Sequence, residues 1–198
     1  LGYSDASLLL NAFLQQAGWV SFHGPVVAGE FAGRFSPRSR EHLLNLLTTG
    51  RGEEHLSFPL TLREGVAEGR LLGGCLSVLV TTLGTPFALD TRGAILFLED
   101  VGEKPYRIDR MLTHLRQAGQ LDDLAGVIFG EMSGCLGETN DPALLLSVIN
   151  DLFSGYSYPV GFGLPAGHHG ENFALPLGTT VRLDTRLQVL TFLESAVE

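Results

Sequence analysis

Side chains of the types that acyl transfer uses are spread along this 198-residue chain: Ser4, the acids Glu99 and Asp100, and the histidines His168 and His169. A serine hydroxyl attacks a carbonyl only when a base takes its proton. The base, an imidazole, needs a carboxylate to fix its tautomer and stabilise its charged form. Ser4 stands in "LGYSDASLLLNAFLQQAG", between a strand-like start and a helix. On such a turn a serine projects its hydroxyl from the fold, with the backbone N–H of the next residue, Asp5, beside it. Glu99 and Asp100 close the apolar run "GAILFLED", and His168 and His169 lie in the Gly-rich segment "GLPAGHHGENFALPLG". Strand ends and loops are common addresses for catalytic groups.

Each of these residues also has a plainer reading: Ser4 as a helix cap, Glu99 as a solvated strand end, His168 as an ordinary loop histidine. Residue type and spacing leave both readings open. Glu103, Arg107, Asp109 and Arg110 read as helix-cap and salt-bridge residues. Tyr106 reads as a substrate contact or a packing residue, and Trp19 and His23 as packing or connecting-loop residues. The glycines of "GGC" make no phosphate loop, because no Lys-Ser/Thr follows them. Cys75 and Cys135 lack the spacing of a zinc site and read as buried thiols of a reduced protein.

The elements that must position these groups follow from periodicity and punctuation. Residues 7 to about 17 carry apolar positions at helical spacing, and Gly18 is a stop signal. The stretch from 19 to about 54 mixes a short extended piece, Gly and Pro breaks, and one helix from about 37 to 47 capped by Ser36. From about Leu56, short strands divided by Gly and Pro in "SFPLTLREGVAEGRLLGG" lead to a helix around 76 to 83. The strand in "GAILFLED" is so continuously apolar that it should be covered on both faces. A helix from Pro105 towards Gly119, a strand in "LAGVIFGEM", a helix near 142 to 153 and a strand in "YPVGFGLP" come next. Two strands about the turn "DTR" complete an α/β pattern of both strand directions.

Composition narrows the function. A net charge of −9 and a pI near 5.1 exclude a phosphate-tracking surface, so no nucleic acid is expected. No apolar run approaches the roughly 20 residues of a membrane span, so no membrane partner is expected, and the start lacks the pattern of a signal peptide. The apolar content suffices for a substantial core in one or two domains.

Several motifs, in order along nearly the whole chain, give a family resemblance. "GYSDASLLL", "HGP", "GGCLSVLVTTLGTP", "GAILFLEDVGEKPYRIDRMLTHLRQAG" and "GLPAGHHGENFALPLG" together resemble the L,D-carboxypeptidases, serine peptidases of the murein tetrapeptide type. The long run "ILFLED" to "PYRIDRML" is the most specific. The resemblance implies a Ser-Glu-His triad of Ser4, Glu99 and His168, with the duplicate His169 as the alternative base. It implies that the Asp5 N–H forms one half of the oxyanion hole, the other half coming from a Gly-rich loop in a preceding domain.

The implied fold is α/β: residues 1–18 as the tail of a Rossmann-like N-terminal domain, 19–55 as a connecting segment, and 56–198 as a mixed β/α C-terminal domain, with the site in the groove between. The chain itself is then expected to be a piece of a longer protein. The implied function is cleavage of the terminal D-alanine from cytosolic murein tetrapeptides in cell-wall recycling. No metal or organic cofactor is implied, and the protein is expected to be a cytoplasmic homodimer. Two alternatives accompany this reading: a microcin-immunity type that cleaves a peptide-nucleotide antibiotic, and a non-catalytic remnant.

Overall fold

The computed structural model of the chain describes residues 1–26, 29, 33, 35–137, 141–168 and 170–197. Helix α1 (Ala6–Ala17) forms where the apolar spacing predicts it, and Gly18 ends it, donating its N–H to the Leu14 carbonyl at 3.0 Å. After the short strand β1 (Ser21–His23), helix α2 (Pro37–Thr49) begins at Ser36, whose hydroxyl accepts from the Ser39 N–H at 3.1 Å. It runs two residues past the predicted end, because the left-handed stop is Gly50.

Strands β2 (His55–Ser57), β3 (Leu60–Arg63) and β4 (Val66–Cys75) follow. The prediction of short, Gly-divided strands fails at β4, which is a single strand of ten residues. Its glycines do not interrupt it; they let neighbouring backbone come close. Helix α3 (Leu76–Leu79) continues as a 3₁₀ turn to Thr82, and strand β5 (Ile95–Val101) leads to helix α4 (Pro105–Gln117). Strand β6 (Gly126–Ser133), helix α5 (Pro142–Phe153), strand β7 (Val160–Phe162) and strands β8 (Leu175–Leu177), β9 (Thr180–Asp184) and β10 (Val189–Phe192) complete the order. Strand β8 falls in a segment read from sequence as loop, since three residues show no period.

Eight strands form one mixed sheet in the order β2-β10-β9-β4-β5-β6-β7-β3, while β1 and β8 pair separately as an antiparallel ribbon. Strands β4 to β7 run parallel. β4 serves both halves of the sheet: Val66–Arg70 pair antiparallel with β9, and Leu71–Cys75 pair parallel with β5. The edge strands β2 and β3 are separated in sequence only by Phe58 and Pro59, a span of at most ~11 Å. The sheet therefore curls enough to bring the end of β2 and the start of β3, on its two edges, close together.

The apolar run of β5 is buried throughout, with Ile95 to Leu98 at most 1% exposed. Leu10 and Leu14 of α1, Ile108 and Leu112 of α4, and Leu145 and Ile149 of α5 join it in one core, while Leu43 and Leu46 of α2 form a smaller cluster with Ala174 and Ala196. Cys75 and Cys135 are buried free thiols, which burial pushes up to about 12 and about 11 respectively. No described helix is long and apolar enough to cross a membrane.

Helix α1 is fastened to β4 by side chains that imitate backbone. The Asn11 amide donates to the Gly73 carbonyl at 2.8 Å and accepts from the Gly73 N–H at 3.2 Å, and the Cys75 N–H donates to Ser7 Oγ at 3.1 Å. Asn11→Leu keeps the branched shape, in a somewhat larger volume, and leaves two buried backbone groups unpaired. Urea unfolding of this variant should show a loss of about 2–4 kcal/mol.

Candidate active site

The chain reaches Ser4 through a parallel bridge between Gly2 and His23, in which the Gly2 N–H donates to the Phe22 carbonyl and the Gly2 carbonyl accepts from the Gly24 N–H, both at 2.9 Å. Two residues later Ser4 adopts φ +58°, a left-handed conformation that only one other described non-glycine residue, Gln188, shares. Such strain is kept where the surroundings enforce it, often at functional sites. A Cβ on Gly2 would lie 2.8 Å from the Ala6 Cβ, so this tight strand-to-helix turn requires the glycine.

The capping reading of Ser4 does not hold, because Ser4 lies one residue before the cap position of α1. The cap position falls to Asp5, whose side chain makes no capping hydrogen bond. Its N–H is among those a helix start leaves without an intrahelical partner.

Glu99, near the end of β5, is 0% exposed, which overturns its reading as a solvated strand end. Its Oε2 lies 2.6 Å from His168 Nδ1, and its Oε1 is buried without a partner among the described residues. Burial pushes the carboxyl above its ordinary value, and the hydrogen bond and positive charge of His168 pull it back. With Nδ1–H donating to the carboxylate, Nε2 of His168 is left as the basic nitrogen.

Gly167 precedes the histidine at φ +144°, and a Cβ there would come within 3.0 Å of Glu99 Oε2. The loop therefore needs glycine to bring the histidine onto the acid. The Tyr3 ring meets His168 edge-on at 4.7 Å, so the residue beside Ser4 touches the histidine. His169 lies outside the described residues.

Asp100 has a different task. It is equally buried, but it accepts the N–H groups of Ser77 and Val101, each at 2.8 Å, and so fastens the start of α3. Arg107 pairs with Glu103 at 3.2 Å, Arg110 lies over the Tyr106 ring at 4.7 Å, and Trp19 sits largely exposed beside Phe13. A cavity of about 690 Å³ lined by Gln15, Arg70, Asp90 and Arg92 lies at the opposite ends of β4 and β5 from Glu99. Within it Gln15 bonds the backbone of Ala88 and Asp90, Arg92 pairs with Asp90, and Arg70 donates to the Gly178 carbonyl.

Sequence reasoning placed His23 in a packing or loop role and passed over Asn11, Ser7 and Glu131. His23 is fully buried beside Phe97, at 4.9 Å between ring centres, with neither ring nitrogen partnered among the described residues. Burial, reinforced by the charge of His168, holds it down to about 3. His42, which bonds the Ala174 carbonyl and accepts the Glu53 N–H, is lowered too, chiefly by burial.

The sign of the stability effect follows from linkage. Above pH ~6.5 both histidines are neutral folded and unfolded. Below it the unfolded chain takes protons that the folded chain refuses, so stability falls with pH, for His23 down to about 3. Urea midpoints between pH 7 and 4 should fall, and His23→Phe should flatten the fall by up to about 1.4 kcal/mol per pH unit.

Residues 68–183 match the family model of the LD-carboxypeptidase C-terminal domain. The chain belongs to the LD-carboxypeptidase family.

It is 39% identical over 189 residues to a probable murein peptide carboxypeptidase of Bacillus subtilis, covering 93% of this chain and 59% of that protein. It is 33% identical to the murein tetrapeptide carboxypeptidase of Pseudomonas aeruginosa, covering 93% of this chain and 62% of that protein. Among solved structures, the muramoyltetrapeptide carboxypeptidase from Oxalobacter formigenes superposes with a TM-score of 0.84 at 31% identity, over 96% of this chain and 65% of that one. The microcin C7 self immunity protein shares the fold, with a TM-score of 0.84 at 23% identity over 100% of this chain and 68% of that one. The chain thus spans about three fifths of the length of the curated relatives it resembles.

Proposed function

We propose that this chain carries the triad of a serine L,D-carboxypeptidase, which removes the terminal D-alanine from murein tetrapeptides in the cytoplasm for cell-wall recycling. The observation that carries the reading is the 2.6 Å bond between His168 and the buried Glu99, beside a serine held in a left-handed turn. The relatives named as murein carboxypeptidases support the substrate class, and the family resemblance supports a homodimer.

In the proposed mechanism His168 Nε2 takes the Ser4 proton as Oγ attacks the carbonyl of the L-centre. Glu99 keeps Nδ1–H in place and stabilises the imidazolium. The Asp5 N–H, at the positive end of α1, faces the developing oxyanion. Collapse of the tetrahedral intermediate passes the proton to the leaving amine, releasing D-alanine. Water, activated by the same histidine, then hydrolyses the ester on Ser4.

The test is D-alanine release from a murein tetrapeptide, beside the epimer ending in L-alanine and a peptide-nucleotide conjugate. Release from the D-terminated peptide alone is expected. Cleavage of the conjugate alone would transfer the site to the antibiotic substrate, and cleavage of none by well-folded protein would sustain the non-catalytic remnant.

A further inference from the structure

The parallel pairing of β5 and β6 slips beside the acid. Leu98 stands opposite Phe129, but Asp100 stands opposite Met132, so that Gly130 and Glu131 together face the single residue Glu99. A bulge of this kind re-aims a side chain and is common beside active sites. Here the side chain is Glu131, the one charged residue in "GVIFGEMS".

The backbone N–H of Glu131 donates to the Ala166 carbonyl at 3.0 Å, joining β6 to the chain that leads into His168. A Cβ built on Gly167 would lie 3.3 Å from the Glu131 Cβ, and one built on Gly170 would lie 2.8 Å from its Oε1. The Glu131 side chain therefore lies against the loop on both sides of His168, in room that the two glycines leave. Its Oε2 is shielded from solvent. Shielding a carboxylate is costly unless positive charge or N–H groups compensate it, and packing alone would be served at lower cost by an apolar residue.

We propose that Glu131 is a positioning residue for His168, holding the histidine loop from the β6 side and placing a second negative charge behind the imidazole. This rests on His168 being the base of the proposed reaction. Among the described residues, the titratable groups beside the imidazole are Glu99 from β5, Tyr3 from the turn before α1 and His23 from β1, while Glu131 from β6 lies against Gly167 and Gly170 on either side of it. Glu171, on the histidine's own loop, lies 3.8 Å from Arg38. Two carboxylates favour the imidazolium that forms when Ser4 gives up its proton.

The experiment is an NMR titration of the His168 ring in the unsubstituted protein and in three variants, with melting temperature and tetrapeptide kinetics measured in parallel. Glu131→Gln and Glu131→Ser remove the charge, and Glu131→Asp keeps it. In the two neutral variants the titration midpoint of His168 should fall by about half a unit or more, and kcat should drop ~10-fold with KM within ~2-fold. Glu131→Asp should restore the midpoint to within about 0.2 unit. An unmoved midpoint in both neutral variants, with or without a lower melting temperature, would overturn the assignment. A midpoint that shifts as expected in a protein that releases no D-alanine would uphold Glu131 and overturn the substrate reading.

Discussion

Ser4→Ala should lower kcat for D-alanine release by ~10⁴-fold or more, with KM nearly unchanged. The hydroxyl forms a bond only on the way to the transition state, so its loss does not weaken the bound ground state. Residual turnover would come from binding and the oxyanion N–H acting on water. The variant also separates chemistry from folding. Serine and alanine both carry a Cβ, so the left-handed backbone at φ +58° is equally unfavourable in each, and unfolding free energies should agree within about 1 kcal/mol. Ser4→Gly should be just as inactive, yet about 1 kcal/mol more stable, because glycine adopts that conformation without strain. A Ser4→Ala protein retaining a tenth of the parent kcat would remove the serine from the mechanism.

Glu99→Gln should lower kcat by ~10³–10⁴-fold while leaving the fold in place. The acid is buried and its Oε2 receives Nδ1–H of His168 at 2.6 Å. An amide of the same shape cannot balance the imidazolium charge. It can also turn its NH₂ towards Nδ1, which puts the ring proton on Nε2, where the Ser4 proton must go. Replacing a buried carboxylate, raised by burial, with a neutral amide should cost little stability. The check is kcat for tetrapeptide cleavage together with the thermal midpoint. A loss under ten-fold would make Glu99 a structural acid.

Much of the fold was legible because its signals are local. Ser36 and Pro37 announce α2, Pro105 and Pro142 start α4 and α5, and the apolar run of β5 declares a strand covered on both faces. Strand β8 and the full length of β4 were not legible, because pairing with residues far along the chain decides them.

The same division holds at the site. Ser4, Glu99 and His168 stand out by type, and the family motifs selected them from other serines, acids and histidines. Asn11 acts on Gly73, 62 residues away, and Glu131 owes its position to a register slip against β5. His23 is set apart by burial with ring nitrogens that have no partner among the described residues, and no neighbouring residue in the sequence encodes that.

The curled sheet has a consequence for how the protein is made. Strand β2 is an edge that pairs with β10, and Leu190 of that partner is synthesised about 130 residues after Leu56. The antiparallel half of β4 likewise waits for β9. At ribosomal speeds of about 5–20 residues per second, the first strands of the nascent chain remain unpaired for on the order of ten seconds. During that interval their open backbone can template pairing with another chain. Soluble yield should therefore depend on the last strands of the chain, β9 and β10.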